Sequence, residues 1–147
     1  MPLCLMIDEE FSIKCDQAHN GLVAVQKFKN DFFKDCGCGI HYKLILMDLQ
    51  MPNMNGFDAT LEILKVMKDY GKEDQCRIVA LSSYTNIECI NRCLNMGMVE
   101  FANKPIHFNQ LKTIVQNHHF RGEEVVKNKC RSAKKFLHSD QMLGKFP

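Results

Sequence analysis

No run of apolar residues in this 147-residue chain reaches the ~20 needed to span a bilayer. The N-terminus lacks a basic segment and meets acid at Asp8, so no cleaved leader is expected. Large net charge is also lacking, at +2. That figure hides an asymmetry: residues 1–120 carry a net −2 and residues 121–147 a net +4. A charge of +4 spread over the tail, with no recognition motif beside it, predicts no nucleic-acid binding. Cysteine is plentiful at 8 residues but lacks the pattern of a secreted disulfide framework. Only Cys36 and Cys38 are close in the chain, and Cys89 and Cys93 stand four apart in a predicted helix. Zinc binding by Cys36, Cys38 and His41 would need a fourth ligand and a finger-like spacing, and both are missing. Free thiols in a reducing compartment are therefore expected, in a cytosolic or nuclear protein, with the cytoplasm as the expected site.

What is present is an ordinary globular balance, 46% apolar and 24% charged, in a length that suits one domain with its own core. "IKCDQA" (13–18) alternates as a strand does. Asn20 and Gly21 follow as turn and cap, and Leu22, Val25, Phe28 and Phe32 then share a helical face. "KLILMD" is a continuous apolar run ending in acid, as befits a strand buried on both sides. A Pro- and Gly-containing loop, "LQMPNMNG", leads to a helix with Phe57, Leu61, Leu64 and Met67 on one face. "RIVALSS" reads as a second buried strand. Ile87, Ile90, Cys93 and Leu94 form a short helix closed by Gly97. "VEFAN" is a last short strand before Lys104-Pro105, and Phe108, Leu111, Ile114, Val115 and His118 line a final helix. This alternation predicts an α/β fold, a doubly wound parallel sheet with helices on both faces.

In such sheets the active crevice lies beyond the C-terminal ends of the strands. The residues there are Asp48, Ser82 with Ser83, and Asn103 with Lys104. A carboxylate, a hydroxyl and an ammonium from neighbouring strand ends could align and neutralise a phosphoryl group, with Asp48 as nucleophile. Asp48 could equally be a cap and Lys104 a solvated charge, and these three residues alone leave both readings open.

"KLILMDLQMPNMNGFDAT" resembles the phospho-acceptor segment of a response-regulator receiver domain, with Met51-Pro52 and Gly56 at that family's spacing. "IVALSS" resembles its fourth strand, "FANKPI" its fifth, and "CDQAHNGLVAV" its second strand and following helix. The resemblance runs from about Ile13 to His118, in the style of receivers from eukaryotic or protist hybrid histidine kinases. It implies a flavodoxin-like fold with strand order 2-1-3-4-5. It implies that Asp48 accepts a phosphoryl group from a phosphohistidine, as a phospho-acceptor rather than a turnover enzyme. Ser82 and Lys104 would bind that group, Phe101 would be the aromatic switch, and Pro105 would follow a cis bond. Mg2+ would sit between Asp48, the backbone carbonyl of Gln50 and an acid pair ending the first strand. The partners implied are a histidine kinase or histidine phosphotransfer protein and a downstream effector protein. An aspartyl-phosphate hydrolase would need a second Asp where Gln50 stands.

"LMIDEEF" (5–11) offers the acids Asp8, Glu9 and Glu10, but it cannot be that first strand. Only Phe11 and Ser12 separate Glu10 from Ile13, and a parallel crossover needs a dozen residues or more. With Pro2 in a first turn, Leu3, Ile7 and Phe11 share one helical face beside Cys4, so residues 2 to 10 or 11 read as a helix end with solvated acids. The first strand is then expected to be missing, the metal-binding acid pair absent and the neighbouring strands left with unpaired edges. Phosphorylation of Asp48 without bound Mg2+ would be slower by a factor on the order of a hundred or more. The expected organisation is a receiver-like domain over 1–118, truncated at its N-terminus, and a basic extension over 119–147. In that extension Val126, Cys130, Ala133 and Leu137 could form a weak helical stripe. Two functions remain: a phosphorelay receiver, or a degenerate receiver that binds partners without being phosphorylated.

Overall fold

The computed structural model describes residues 3–34, 42–51, 53–120 and 135–139, the last as a backbone strand. The Cys36, Cys38 and His41 loop, Pro2, Pro52, and Val126, Cys130 and Ala133 of the proposed tail helix lie outside the described residues.

Helix α1 (Leu3–Phe11) buries Leu3 and Ile7 and exposes Asp8, Glu9 and Glu10. The helical reading of "LMIDEEF" is therefore what the structure shows. Glu10 pairs with Lys112 at 3.1 Å on the surface. Ser12, at φ 54, ends the helix in a left-handed turn and donates its N–H to the Asp8 carbonyl at 2.8 Å. That reversal sends the chain directly into strand β1 (Lys14–Ala18). Helix α2 (Gly21–Phe32) follows, capped by the Asn20 side chain accepting from Val23 N–H. Strand β2 (Tyr42–Asp48) and helix α3 (Gly56–Asp69) come next, then strand β3 (Arg77–Ser82), helix α4 (Ile87–Met96) and strand β4 (Glu100–Asn103). Asn55 and Asn86 cap α3 and α4 in the way Asn20 caps α2. Helix α5 (Phe108–Ile114) widens into a π turn over Val115–His119, and strand β5 (Lys135–Ser139) is last.

The continuous apolar runs are explained by burial from two sides. Successive β2 residues point to opposite faces. Ile45 and Met47 pack with Phe28, Ile63 and Met67 of α2 and α3, while Leu44 and Leu46 pack with Leu3, Ile7, Leu111 and Ile114 of α1 and α5. In β3, Ile78 and Ala80 join the first layer and Val79 and Leu81 the second. Each fully buried aliphatic side chain of this kind contributes roughly 1.5–3 kcal/mol. The short helix α4 differs from expectation, burying only Cys93 and leaving Ile87 and Leu94 exposed.

All strands run parallel, in the order β1-β5-β2-β3-β4. The central place between β1 and β2, expected to be empty, is filled by a strand from the C-terminal tail. Lys14 to Ala18 pair with Lys135 to Ser139, and Leu44 to Met47 pair with Phe136 to Ser139 on the other side. The unpaired edges foreseen for β1 and β2 are thus satisfied by backbone from the far end of the chain. Leu137 accordingly lies in a strand and not on a helical stripe.

The cysteines are not all the free thiols that the sequence led one to expect. Cys4 and Cys15 form a disulfide, with Cα atoms 5.3 Å apart. The turn at Ser12 folds α1 back along β1 and brings together two thiols 11 residues apart. Cys76, Cys89 and Cys93 are free.

Candidate phospho-acceptor site

The loops after the C-terminal ends of β2, β3 and β4 meet at Asp48. Its carboxylate, 1% exposed, accepts from Gln50 N–H at 2.9 Å through Oδ1 and is ion-paired through Oδ2 with the Lys104 ammonium. The alternative of a solvated Lys104 is excluded by this contact, since its side chain is only 15% exposed. Lys104 follows β4 and donates its backbone N–H to the Ser82 carbonyl at 3.0 Å. Pro105 follows a cis peptide bond. Ser82 ends β3, is 1% exposed, and accepts from Tyr84 N–H at 3.0 Å through Oγ. That leaves its own O–H to donate elsewhere. A buried carboxylate, a charged ammonium and a hydroxyl thus come from three adjacent strand ends. Phe101 is half-buried, packed against the α2 and α3 layer. Ser83 and Asn103 are exposed.

Two glycines permit this crowding. A Cβ on Gly56 would lie 2.3 Å from the Asp48 carbonyl oxygen, and one on Gly21 would lie 2.3 Å from that of Met54. Gly21 N–H donates to that Met54 oxygen at 3.1 Å, fixing the start of α2 against the loop after Asp48. Gly56 was visible in the sequence through its motif, whereas the site contact of Gly21 was not. Leu22, 46% exposed, stands on the first turn of α2 beside this loop.

The metal expectation finds limited support in the side chains. Among the described residues no group of three His, Cys, Asp or Glu could hold a metal ion. Asp48 is one carboxylate and is already neutralised by Lys104. Hard divalent cations prefer several oxygen ligands, so the described set does not by itself fit Mg2+.

Residues 3–116 match the model of the response regulator receiver domain. The chain belongs to the response regulator receiver family. As a receiver it is 34% identical over 114 residues to Histidine protein kinase 1 of Candida albicans, covering 77% of this chain and 4% of that protein. It is 38% identical over 98 residues to Hybrid signal transduction histidine kinase B of Dictyostelium discoideum, covering 62% of this chain and 4% of that protein. The chain therefore spans a small part of those relatives. Among solved structures, it is similar to the receiver domain of Ssk1, co-crystallised with the histidine phosphotransfer protein Ypd1 of Saccharomyces cerevisiae. That match has a TM-score of 0.66 and 26% identity, over 80% of this chain and 79% of that one. The receiver of the sensor histidine kinase PA1611 from Pseudomonas aeruginosa, solved with magnesium in its active-site cleft, shares the fold. Its TM-score is 0.57 at 23% identity, over 78% of this chain and 82% of that one. The receiver is of the phosphorelay type, with the flavodoxin-like fold of its structural neighbours. No helix among the described residues is long and apolar enough to cross a membrane.

Proposed function

We propose that Asp48 is the phospho-acceptor of this receiver. A carboxylate oxygen of Asp48 attacks the phosphorus of a phosphohistidine. The nitrogen–phosphorus bond breaks, the imidazole leaves, and an acyl phosphate forms on Asp48. Lys104, already at the carboxylate, follows the charge onto the phosphoryl oxygens, and the Ser82 hydroxyl donates to one of them. Phe101 then reports the new hydrogen bond at Ser82 by turning inward. The observation that carries this reading is the buried Asp48–Lys104 contact with Ser82 on the adjoining strand end.

The donor would be a histidine phosphotransfer protein or histidine kinase, docking on the rim where Leu22 is exposed. A downstream effector would read the α4 and β4 surface, where Tyr84, Ile87 and Leu94 are exposed. The cytoplasm is the compartment that suits such partners. The test is transfer from a phosphorylated histidine phosphotransfer protein to the wild-type chain and to Asp48→Asn. A second reading, a receiver that binds partners without phosphorylation, is favoured because no group of three metal-ligating side chains occurs among the described residues. It calls for partner binding that is the same in both proteins.

A further inference from the structure

We propose that Cys4 and Cys15 form a reversible thiol–disulfide latch that ties β1 to α1 and controls how readily the C-terminal strand β5 leaves the sheet. Among the described residues β1 has one strand neighbour, β5, and Cys15 pairs with Phe136 in that ladder. Beyond that ladder, single side-chain contacts tie β1 to β2 and to α2, and the disulfide ties it to α1. Tyr42 O–H donates to the Asp16 carboxylate, Lys27 donates to the Gln17 carbonyl, and the disulfide reaches α1. Helix α1 is anchored independently of β5, because Leu3 and Ile7 are buried with Leu44, Leu46 and Ile114.

The tail strand differs in pattern from the strand beside it. A strand covered on both faces normally reads as a continuous apolar run, as "LILM" does in β2, whereas β5 reads "KFLHS". With the disulfide reduced, loss of β5 also frees β1, and the two strands open together with the full entropy gain of both. With the disulfide formed, β1 stays clamped to α1 and that gain is removed, so opening is suppressed.

Both cysteines are partly exposed, within reach of a small oxidant. The step balances with a low-molecular-weight disulfide such as oxidised glutathione. One protein thiolate attacks it, forming a mixed disulfide and releasing one glutathione thiolate. The second protein thiolate attacks the mixed disulfide and releases the other. The protein loses two electrons and two protons, and oxidised glutathione becomes two molecules of glutathione.

The experiment is hydrogen exchange with mass spectrometry on the whole chain, equilibrated in reduced or in oxidised glutathione. Peptide mapping under non-reducing conditions identifies the Cys4–Cys15 link. Amides of 14–18 and 135–139 should exchange faster in the reduced protein by about tenfold to a hundredfold, the scale of the chain-entropy effect of a loop this short. The β3 and β4 amides should change much less. Cys4→Ser in oxidised glutathione should exchange as the reduced wild type does. Equal exchange of both strands in the two redox states would overturn the latch. So would Cys4 and Cys15 remaining thiols in oxidised glutathione, or Cys4→Ser exchanging like the oxidised wild type.

Discussion

Asp48, Lys104, Ser82 and Gly56 each answer to a different physical demand. Asp48 must be buried yet charged, and the Lys104 ammonium beside it makes that tolerable. Lys104→Ala removes the charge that neutralises the phosphoryl oxygens and is expected to slow transfer to Asp48 by about 100-fold. Rapid-quench labelling measures it, and an unchanged rate would take Lys104 out of the chemistry. Gly56→Ala drives a Cβ against the Asp48 carbonyl oxygen. Relieving that contact moves backbone, so a loss of about 1–3 kcal/mol in urea unfolding is expected. Cys93 offers a pH test. Burial, then the neighbouring Cys89, pushes its thiol up to about 11 from an ordinary 9.0. The unfolded thiol ionises first, so this contribution to stability is full below pH 9 and is lost as pH rises towards 11. The loss is at most about 1.4 kcal/mol per pH unit, and Cys93→Ala should flatten that part of the unfolding profile.

The elements divide into those whose patterns speak for themselves and one whose pattern misleads. The apolar runs of β2 and β3 and the Asn20 cap of α2 determine their elements locally, so they were legible in the sequence, whereas the Asn55 and Asn86 caps of α3 and α4 emerged from the structure. The helical character of α1 was legible from the two-residue gap before Ile13. Strand β5 was not. "KFLHS" carries no strong strand period, and only pairing with β1 and β2 gives its backbone a use. The Cys4–Cys15 bond was hidden for a related reason, since it depends on how α1 folds back at Ser12. Leu137→Pro should interrupt the central ladder and cost about 3 kcal/mol in urea unfolding. An unchanged midpoint would mean that the sheet does not rely on its tail strand.

For the whole molecule, the consequence is a receiver sheet closed by its own C-terminal segment. The chain runs α1, β1 and onwards to α5, then returns to the centre with β5. The Asp48, Ser82 and Lys104 grouping was foreseen because each ends or directly follows a strand of one parallel sheet. The metal ligands were not resolved by the sequence, because they depend on what occupies that central place. With Asp48 paired to Lys104, and no group of three metal-ligating side chains among the described residues, chelating Mg2+ is expected to slow transfer by less than about tenfold, a smaller effect than a tightly held ion would have. A hundredfold dependence would show that carboxylates beyond the described residues join Asp48. Asp140, next in the sequence after Ser139, would be the first to substitute. The most direct measurement is phosphoryl transfer from a phosphorylated histidine phosphotransfer protein to the wild-type chain and to Asp48→Asn, with circular dichroism confirming that both are folded. Label that is lost in alkali on the wild type, and none on Asp48→Asn, is the expected result. Equal labelling of the two proteins would contradict a phospho-acceptor at Asp48.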